Sequence, residues 1–463
     1  MCSIYGQCGL RASTDESLDL RLLQSRGPDS TTEISIDGIT VRHDLLNINS
    51  NALQQPLVRR EQAVLFNGQI YGSWERSGGG HYRHRLQADD LSFLADQVMG
   101  ISGRQATLNV SRLEGEFVIA LVDLMSGKTM IWTDSFATKP VSVFAYGQDA
   151  FEFCSYSEAV PATRRARATE QVINVPAETV VTVGSGISVK RIPSHFSFSP
   201  ATRASSYDSR AWRAAFSGAI SRRTSQFLAR DGGAPFIPMS GGADSGAIVA
   251  EAISQGLDFY VYCAPEGEDS QIIEKRIKLL DKHRIPYELV FPTNNEVAEA
   301  QGRISAGFED FRVQASGFPN HYQEPFLSRI PGFVVSGVIF ARARARGLRT
   351  CISGVGADEI FTDYASGSMN LSSMRGNWKL ADKKWLNFGG GWQSMFLQAG
   401  ERVAGQYGIE ARYPFLDKEV VSEFLRLPIP GRYEPLKRPV NDLLNEHDFP
   451  TSAVKRGFLG TKL

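Results

Sequence analysis

The sequence predicts a two-domain chain of mixed α/β class, β-rich in its first part and alternating between strands and helices in its second. Three observations carry this expectation. At 463 residues the chain exceeds one average domain of about 100–200 residues. Residues 1–193 hold short apolar runs between turn signals, several alternating or rich in β-branched and aromatic side chains, as strands are. From about residue 209 the pattern becomes strand, helix, strand, helix, which calls for a parallel sheet covered by helices.

In chain order, the strand signals of the first part are ISIDGITVRHDLL, AVLFNGQIYG, EFVIALVDL, TMIWTD, VSVFAYG, FEFCSYS and ETVVTVG, with helical pieces at 15–25 and 89–99. Residues 194–208, SHFSFSPATRASSYD, are rich in Ser, Pro and Thr and read as a linker. Next come an amphipathic helix (SRAWRAAFSGAISRRTSQFLAR), a short buried strand (APFIPM) and a loop running into a helix (SGGADSGAIVAEAIS). A strand (DFYVYCA), a helix (SQIIEKRIKLLDKHR) and a strand (YELVF) follow. The basic run ARARARGLR at 341–349 reads as one solvated helix face rather than a polyanion site.

Composition excludes several function classes. Apolar residues at 42% and charged residues at 22% exclude a largely disordered chain. Lys plus Arg and Asp plus Glu both count 50, so charge gives no reason to expect a nucleic-acid partner. No run approaches the roughly 18 apolar residues of a membrane helix, and MCSIYGQCGLRAS lacks the basic and apolar regions of a signal peptide. The five cysteines, Cys2, Cys8, Cys154, Cys263 and Cys351, are odd in number and scattered, without CxxC or zinc spacing. They read as reduced thiols of a cytoplasmic protein.

Chemistry concentrates in two loops. Ser240-Gly241-Gly242-Ala243-Asp244-Ser245-Gly246 follows a strand and opens a helix. Small residues let backbone N–H groups approach phosphate oxygens, and a helix N-terminus favours an anion. Ser240 and Ser245 add hydroxyl donors. Asp244 would repel phosphate without a cation between them, so it reads as a Mg²⁺ ligand. The Gly-Lys-[Ser/Thr] ending of a Walker A loop is absent; by itself the stretch is equally a Gly-rich turn. Ser353-Gly354-Val355-Gly356-Ala357-Asp358-Glu359 is a second strand-to-turn acidic loop, with Asp358 either a second Mg²⁺ ligand or a helix-capping carboxylate.

Together with Ala411-Arg412-Tyr413-Pro414-Phe415-Leu416-Asp417, these loops resemble the synthetase half of the asparagine synthetase family over residues 209–463. The resemblance implies an α/β domain of the N-type ATP pyrophosphatases, with ATP and Mg²⁺ as cofactors. It implies cleavage of ATP to AMP and pyrophosphate, an adenylated carboxylate and attack by an amine. Ser240, Gly241, Gly242, Asp244 and Ser245 would hold the phosphates, Val261, Cys263 and Gly354 would lie near the adenine, and Lys455, or Arg456 beside it, would balance charge on the departing pyrophosphate.

The N-terminal part resembles a class II glutamine amidotransferase over residues 1–195, on Cys2, Arg26-Gly27-Pro28-Asp29-Ser30, Asn67-Gly68-Gln69-Ile70-Tyr71 and Ser157-Glu158. That implies an N-terminal-nucleophile hydrolase sandwich, two antiparallel sheets between helices. Loss of Met1 would give Cys2 a free α-amine able to act as base for its own thiol. By the resemblance Cys2 attacks the glutamine amide, Asn67 and Gly68 form the oxyanion hole, and Asp89 and Gln69 contact the substrate.

Three departures stand out. Leu45 in His43-Asp44-Leu45-Leu46 replaces an arginine that pairs with the glutamine carboxylate in the family, a bidentate role Leu cannot take; Arg42, Arg59 and Arg60 are the nearby alternatives. Gln69 replaces a Glu. Val355 replaces the Glu of asparagine synthetases and the Tyr of β-lactam synthetases, and it neither donates nor accepts a proton. The expected activity is therefore a glutamine- and ATP-dependent amidotransferase acting on a carboxylate-bearing small molecule or peptide other than plain aspartate, with ammonia passing inside the protein. No nucleic acid or membrane partner is expected, and a homodimer is an open possibility. The alternative is an intramolecular amide-forming cyclase, like β-lactam synthetases and lasso-peptide cyclases, or a synthetase using another amine, with an impaired glutaminase half.

Overall fold

The structure, a computed structural model, describes residues 2–10, 17–48, 54–77, 80–84, 90–147, 150–168, 171–224, 233–312, 326–361, 384–433 and 435–451. The chain divides into two compact units, Met1–His195 with Ala404–Gly408, and Phe196–Val403 with Ile409–Leu463.

The first unit runs β1 (Ser3–Cys8), α1 (Leu20–Arg26), β2 (Ser30–Ile36), β3 (Ile39–Leu45), β4 (Leu57–Arg59), β5 (Gln62–Ser77), β6 (Gly80–His84), α2 (Asp90–Val98), α3 (Gly103–Ser111), β7 (Leu113–Asp123), β8 (Thr129–Thr133), β9 (Ser142–Ala145), β10 (Phe151–Cys154), α4 (Ala162–Arg167), β11 (Gln171–Asn174), β12 (Thr179–Val183) and β13 (Ile187–Arg191). Two antiparallel sheets form, in the orders β11-β9-β10-β1-β3-β2 and β13-β12-β8-β7-β5-β4, with β6 on β5. Ile4, Val41, Leu65, Val118, Val143 and Phe153 fill the space between them. Each large side chain so buried contributes about 1.5–3 kcal/mol. The other face of the second sheet is covered by α2 and α3, whose Leu91, Leu94, Val98, Ala106 and Val110 meet Phe66, Phe117 and Trp132. On the first sheet Tyr5 alternates with Ile4 and so faces outward. There Arg164 of α4 donates to Glu152 and to Tyr5. The layers are helix, sheet, sheet, helix. The helical piece expected at 15–25 is α1, which starts later because the Asp19 carboxylate caps it through the Arg21 N–H. The piece expected at 89–99 is α2.

The second unit continues with α5 (Arg210–Thr224), β14 (Phe236–Pro238), α6 (Ala243–Ser254), β15 (Tyr260–Cys263), α7 (Ser270–His283), β16 (Tyr287–Leu289), α8 (Asn294–Phe308), α9 (Pro331–Ala345), β17 (Thr350–Ile352), α10 (Ala357–Phe361), α11 (Gly391–Gln406), β18 (Glu410–Arg412), α12 (Lys418–Arg426), α13 (Ile429–Tyr433) and α14 (Arg438–Glu446). Its sheet is parallel throughout, in the order β16-β15-β14-β17-β18. The chain steps outward from β14 to β16 and returns to β17 on the other side of β14. That reversal is the position where parallel sheets open a crevice at their carboxyl ends. Arg342 and Arg346 of the basic run are not a bare solvated face: both pair with Glu288, and Arg342 also with Glu296.

The segment Ala411–Asp417 serves the core. Asp417 is fully buried, takes Arg222 at 2.8 Å and Arg223 at 2.9 Å, and caps α12 through the Glu419 N–H. Asp417→Ala breaks a buried ion pair with Arg223, which costs about 3–5 kcal/mol. Urea unfolding is expected to show a transition displaced by that amount, and an unchanged midpoint would contradict the assignment. Among the described residues no helix is long and apolar enough to cross a membrane.

Candidate active site

In the first unit the antiparallel register sets Ile4 opposite His43, so both point to the same face of their sheet. Cys2, two residues before Ile4, shares that face, the one turned toward the second sheet. From the second sheet β5 brings Phe66, Asn67 and Gly68. The Cys2 N–H donates to Asn67 Oδ1 at 3.1 Å. Asn67 is fully buried, and its Nδ2 has no hydrogen-bond partner among the described residues. A buried donor left so costs about 1–3 kcal/mol, a cost repaid where a ligand supplies the acceptor. Gly68 has φ +127°, and a Cβ there would lie 1.9 Å from the Glu116 carbonyl oxygen, so only glycine fits.

Arg26, from the RGPDS motif, donates Nε to the Cys2 carbonyl at 2.8 Å, and its guanidinium lies 5.0 Å from the Tyr156 ring centroid. His43 Nε2 is 3.3 Å from the Phe66 carbonyl. Burial alone would raise the Cys2 thiol, but His43 and the Leu46 N–H outweigh it and hold the thiol below its ordinary value. Cys154 is fully buried, and there burial outweighs the Tyr156 N–H and pushes the thiol the other way.

Around the expected glutamine pocket the structure is more specific than the sequence. Asp89 lies outside the described residues. Its neighbour Asp90 opens α2 and takes both the Gln69 side chain and the Ile70 N–H, the latter at 3.0 Å, so Gln69 is turned onto a carboxylate of the chain itself. Arg42 forks onto Asp44 at 2.7 and 3.1 Å. It alternates with His43 along β3 and therefore faces away from Cys2. Arg59 pairs with Asp96 at 2.5 Å. Of the two alternatives to Leu45 with a partner, each already holds a carboxylate of the chain.

In the second unit both chemistry-bearing loops leave the central strands, β14 and β17, at their carboxyl ends. A Cβ on Gly354 would come 3.3 Å from Asp244 Cβ, which shows how closely they approach. Ser245 Oγ accepts from the Ser240 N–H and bonds Ser240 Oγ, both at 3.0 Å. The Gly241 N–H donates to Glu268 at 3.0 Å. Beneath the loop lies Arg276 of α7, fully buried. It donates to the carbonyls of Ser240, Gly242 and Pro450 and stands where a side chain at Gly246 would clash. Burial lowers its guanidinium to about 10, which leaves it charged at neutral pH. Arg276 thus holds the loop from its carbonyl side, while the Ser240, Gly241 and Gly242 N–H groups bond Ser245 Oγ, Glu268 and Ser240 Oγ.

Asp244 and Asp358 converge on Lys437, whose Nζ is 2.6 and 2.7 Å from the two oxygens of Asp244 and 2.5 Å from Asp358. Burial would lower this lysine, but the two carboxylates hold its ammonium well above the ordinary value. Sequence reasoning missed Lys437, as well as Arg276 and His43. The Lys-Arg-Pro step at the start of α14 is the only trace of Lys437 in the sequence, and nothing there ties it to Asp244, 193 residues away. Lys455 and Arg456 lie outside the described residues. Val261 and Cys263 are buried in β15, and burial pushes the Cys263 thiol up to about 12, so it packs and does not react.

These residues fit a magnesium nucleotide. Asp244, Asp358 and Lys437 together carry a net charge of −1 beside the Ser240–Ser245 loop. Mg²⁺ takes one or two protein carboxylates and completes its shell with water and phosphate oxygens. Replacing Lys437 with Met leaves the two carboxylates facing each other. Since Asp244 and Asp358 are each about a fifth exposed, the expected cost is about 1–3 kcal/mol. Adding Asp244→Asn restores part of it, as a double-mutant cycle of urea unfolding measures; strict additivity would contradict the contact.

Residues 1–182 match the family model of a glutamine amidotransferase domain. No curated protein matches the chain. Among solved structures, a glutamine phosphoribosylpyrophosphate amidotransferase from B. subtilis, complexed with ADP and GMP, matches at 14% identity over 64% of this chain and 70% of its own, with a TM-score of 0.31. An allosteric regulatory enzyme of purine biosynthesis matches at 14% identity over 64% of this chain and 69% of its own, with a TM-score of 0.32. The family match thus falls within the first unit and is to a glutamine amidotransferase domain.

Proposed function

We propose that the chain is a glutamine- and ATP-dependent amidotransferase that converts an acceptor carboxylate into an amide. The observation that carries this reading is the convergence of Asp244, Asp358 and Lys437 beside the Ser240–Ser245 loop, in a chain whose first unit matches a glutamine amidotransferase domain.

In the first half-reaction Cys2 adds to the glutamine side-chain amide. Asn67 Nδ2, with Gly68 beside it, meets the charge that develops on the carbonyl oxygen. Ammonia leaves, and water releases glutamate. In the second, the Ser240–Ser245 loop with the hydroxyls of Ser240 and Ser245 would hold the ATP phosphates, and Asp244 and Asp358 would hold Mg²⁺, whose charge would neutralise phosphate. Lys437 fixes both carboxylates and adds a positive charge where pyrophosphate would depart. The acceptor carboxylate, activated as its adenylate, is attacked by ammonia, and AMP leaves. Neutral ammonia is already nucleophilic, so Val355 needs no acid or base function. Adenine lies near Val261, Cys263 and Gly354 in this reading.

One observation favours a second reading. Arg42 is forked onto Asp44 on the face away from Cys2, so the arginine lost at Leu45 has no replacement there. In that case the first half is impaired and the second joins an amine already carried by its substrate.

Two assays separate these. Glutamate release from glutamine is expected for the native chain, absent in Cys2→Ala and reduced about 10²–10³-fold in Asn67→Ala. Pyrophosphate release from Mg²⁺-ATP in the presence of carboxylate acceptors is expected to disappear in Asp244→Ala and Asp358→Ala. Pyrophosphate without glutamate selects the second reading; neither product, with acceptors present, rejects both.

A further inference from the structure

His43 is buried beside Cys2. Its Nε2 faces the Phe66 carbonyl oxygen at 3.3 Å. A carbonyl only accepts, so Nε2 carries the proton, and in the neutral ring Nδ1 keeps its lone pair. Phe66 directly precedes Asn67, which holds the Cys2 N–H. One strand of the second sheet thus orients both the imidazole and the nucleophile. Cys2 and His43 lie on one face of the sheet, a single register step apart, His43 draws the thiol below its ordinary value, and with Nε2 committed, Nδ1 is the nitrogen left for it.

We propose that His43 Nδ1 takes the proton of the Cys2 thiol, making the imidazole, and not the α-amine alone, the base of the glutamine half-reaction; this rests on Cys2 being the nucleophile of that reaction. The S–H bond breaks and its proton moves to Nδ1. The thiolate forms a C–S bond to the amide carbon, and the carbonyl electron pair shifts to oxygen. The proton on Nδ1 passes to the amide nitrogen, the C–N bond breaks and ammonia leaves. Water then adds to the thioester and gives its proton to Nδ1. The C–S bond breaks, glutamate departs, and the proton returns to sulfur.

The charged groups around this pair come from several elements. Arg26 of α1 donates to the Cys2 carbonyl, with Tyr156 beside its guanidinium, and the chain-terminal ammonium acts on the thiol. From β5 come Phe66, Asn67 and Gly68, which do not titrate. Asp44, next to His43, points to the opposite face and is held by Arg42. The chain-terminal ammonium favours thiolate with or without the imidazole, so replacing His43 removes its share alone.

The test needs no glutamine, and so stands whether or not the chain releases glutamate. Alkylation of Cys2 by iodoacetamide is followed peptide by peptide from about pH 5 to about 9.5, a range spanning the ordinary imidazole, α-amine and thiol values. In the native chain lacking Met1 the rate is expected to rise through a midpoint below the ordinary thiol value of about 8.5. His43→Gln, whose amide can still donate to Phe66, is expected to move that midpoint upward and to slow alkylation at neutral pH about tenfold, with the Cys8 peptide unchanged. An identical profile in the variant overturns the proposal. Should the variant fail to fold, the unaltered sequence retaining Met1 decides, because there Cys2 has an amide and no α-amine. A midpoint that stays low supports His43, and one that returns to the ordinary thiol value assigns the proton to the α-amine.

Discussion

A buried arginine cannot lose its proton and carries five N–H groups, so the backbone it meets has to turn carbonyls toward it. This constraint recurs wherever the chain places chemistry. Arg26 holds the carbonyl of Cys2, and Arg276 holds those of Ser240 and Gly242. Arg223, with Arg222, settles on the carboxylate of Asp417. In each case a segment that could adopt several turns is fixed by a cation beneath it. Lys437 does the same with side chains in place of carbonyls, drawing two carboxylates together.

The two units reach organised sites by different routes. In the first, antiparallel register does most of the work, because residues on one face of β1 and β3 confront β5 across the space between the sheets. Its cost is concentrated at Gly68, where a positive φ and a carbonyl contact exclude any side chain. In the second, parallel strands cannot pair neighbours in sequence, and the reversal between β14 and β17 brings together loops far apart in the chain. The thiols follow the same division. Cys2 is the one thiol drawn below its ordinary value among those with a resolved displacement, while Cys154, Cys263 and Cys351 are raised by burial.

Much of this was legible in the sequence. The change from short alternating strands to strand-helix alternation locates the two kinds of sheet, and both loops lie on the strand-to-helix turns their glycines and acidic residues indicate. Local signals end where long-range contacts begin. His43 sits in a motif noticed for its missing arginine, and its role depends on a carbonyl from another sheet. Arg276 and Lys437 resemble surface charges in a one-dimensional reading, since only burial distinguishes them. Asp90, beside the Asp89 that lies outside the described residues, shows its contact with Gln69 and Ile70 only once the helix start is placed.

The pairing of β14 with β17 has a thermodynamic side. Their register joins Phe236 to Cys351 and extends little further, yet the loops that follow these strands supply both acidic residues of the site. A ligand gripping both loops would therefore fasten together two strands that the sheet itself joins sparingly. By mass action, each tenfold rise in such a ligand above its dissociation constant adds about 1.4 kcal/mol to that junction. The middle of the parallel sheet would then be as firm as the ligand supply allows, and the binding equilibrium would become part of the fold's own cohesion.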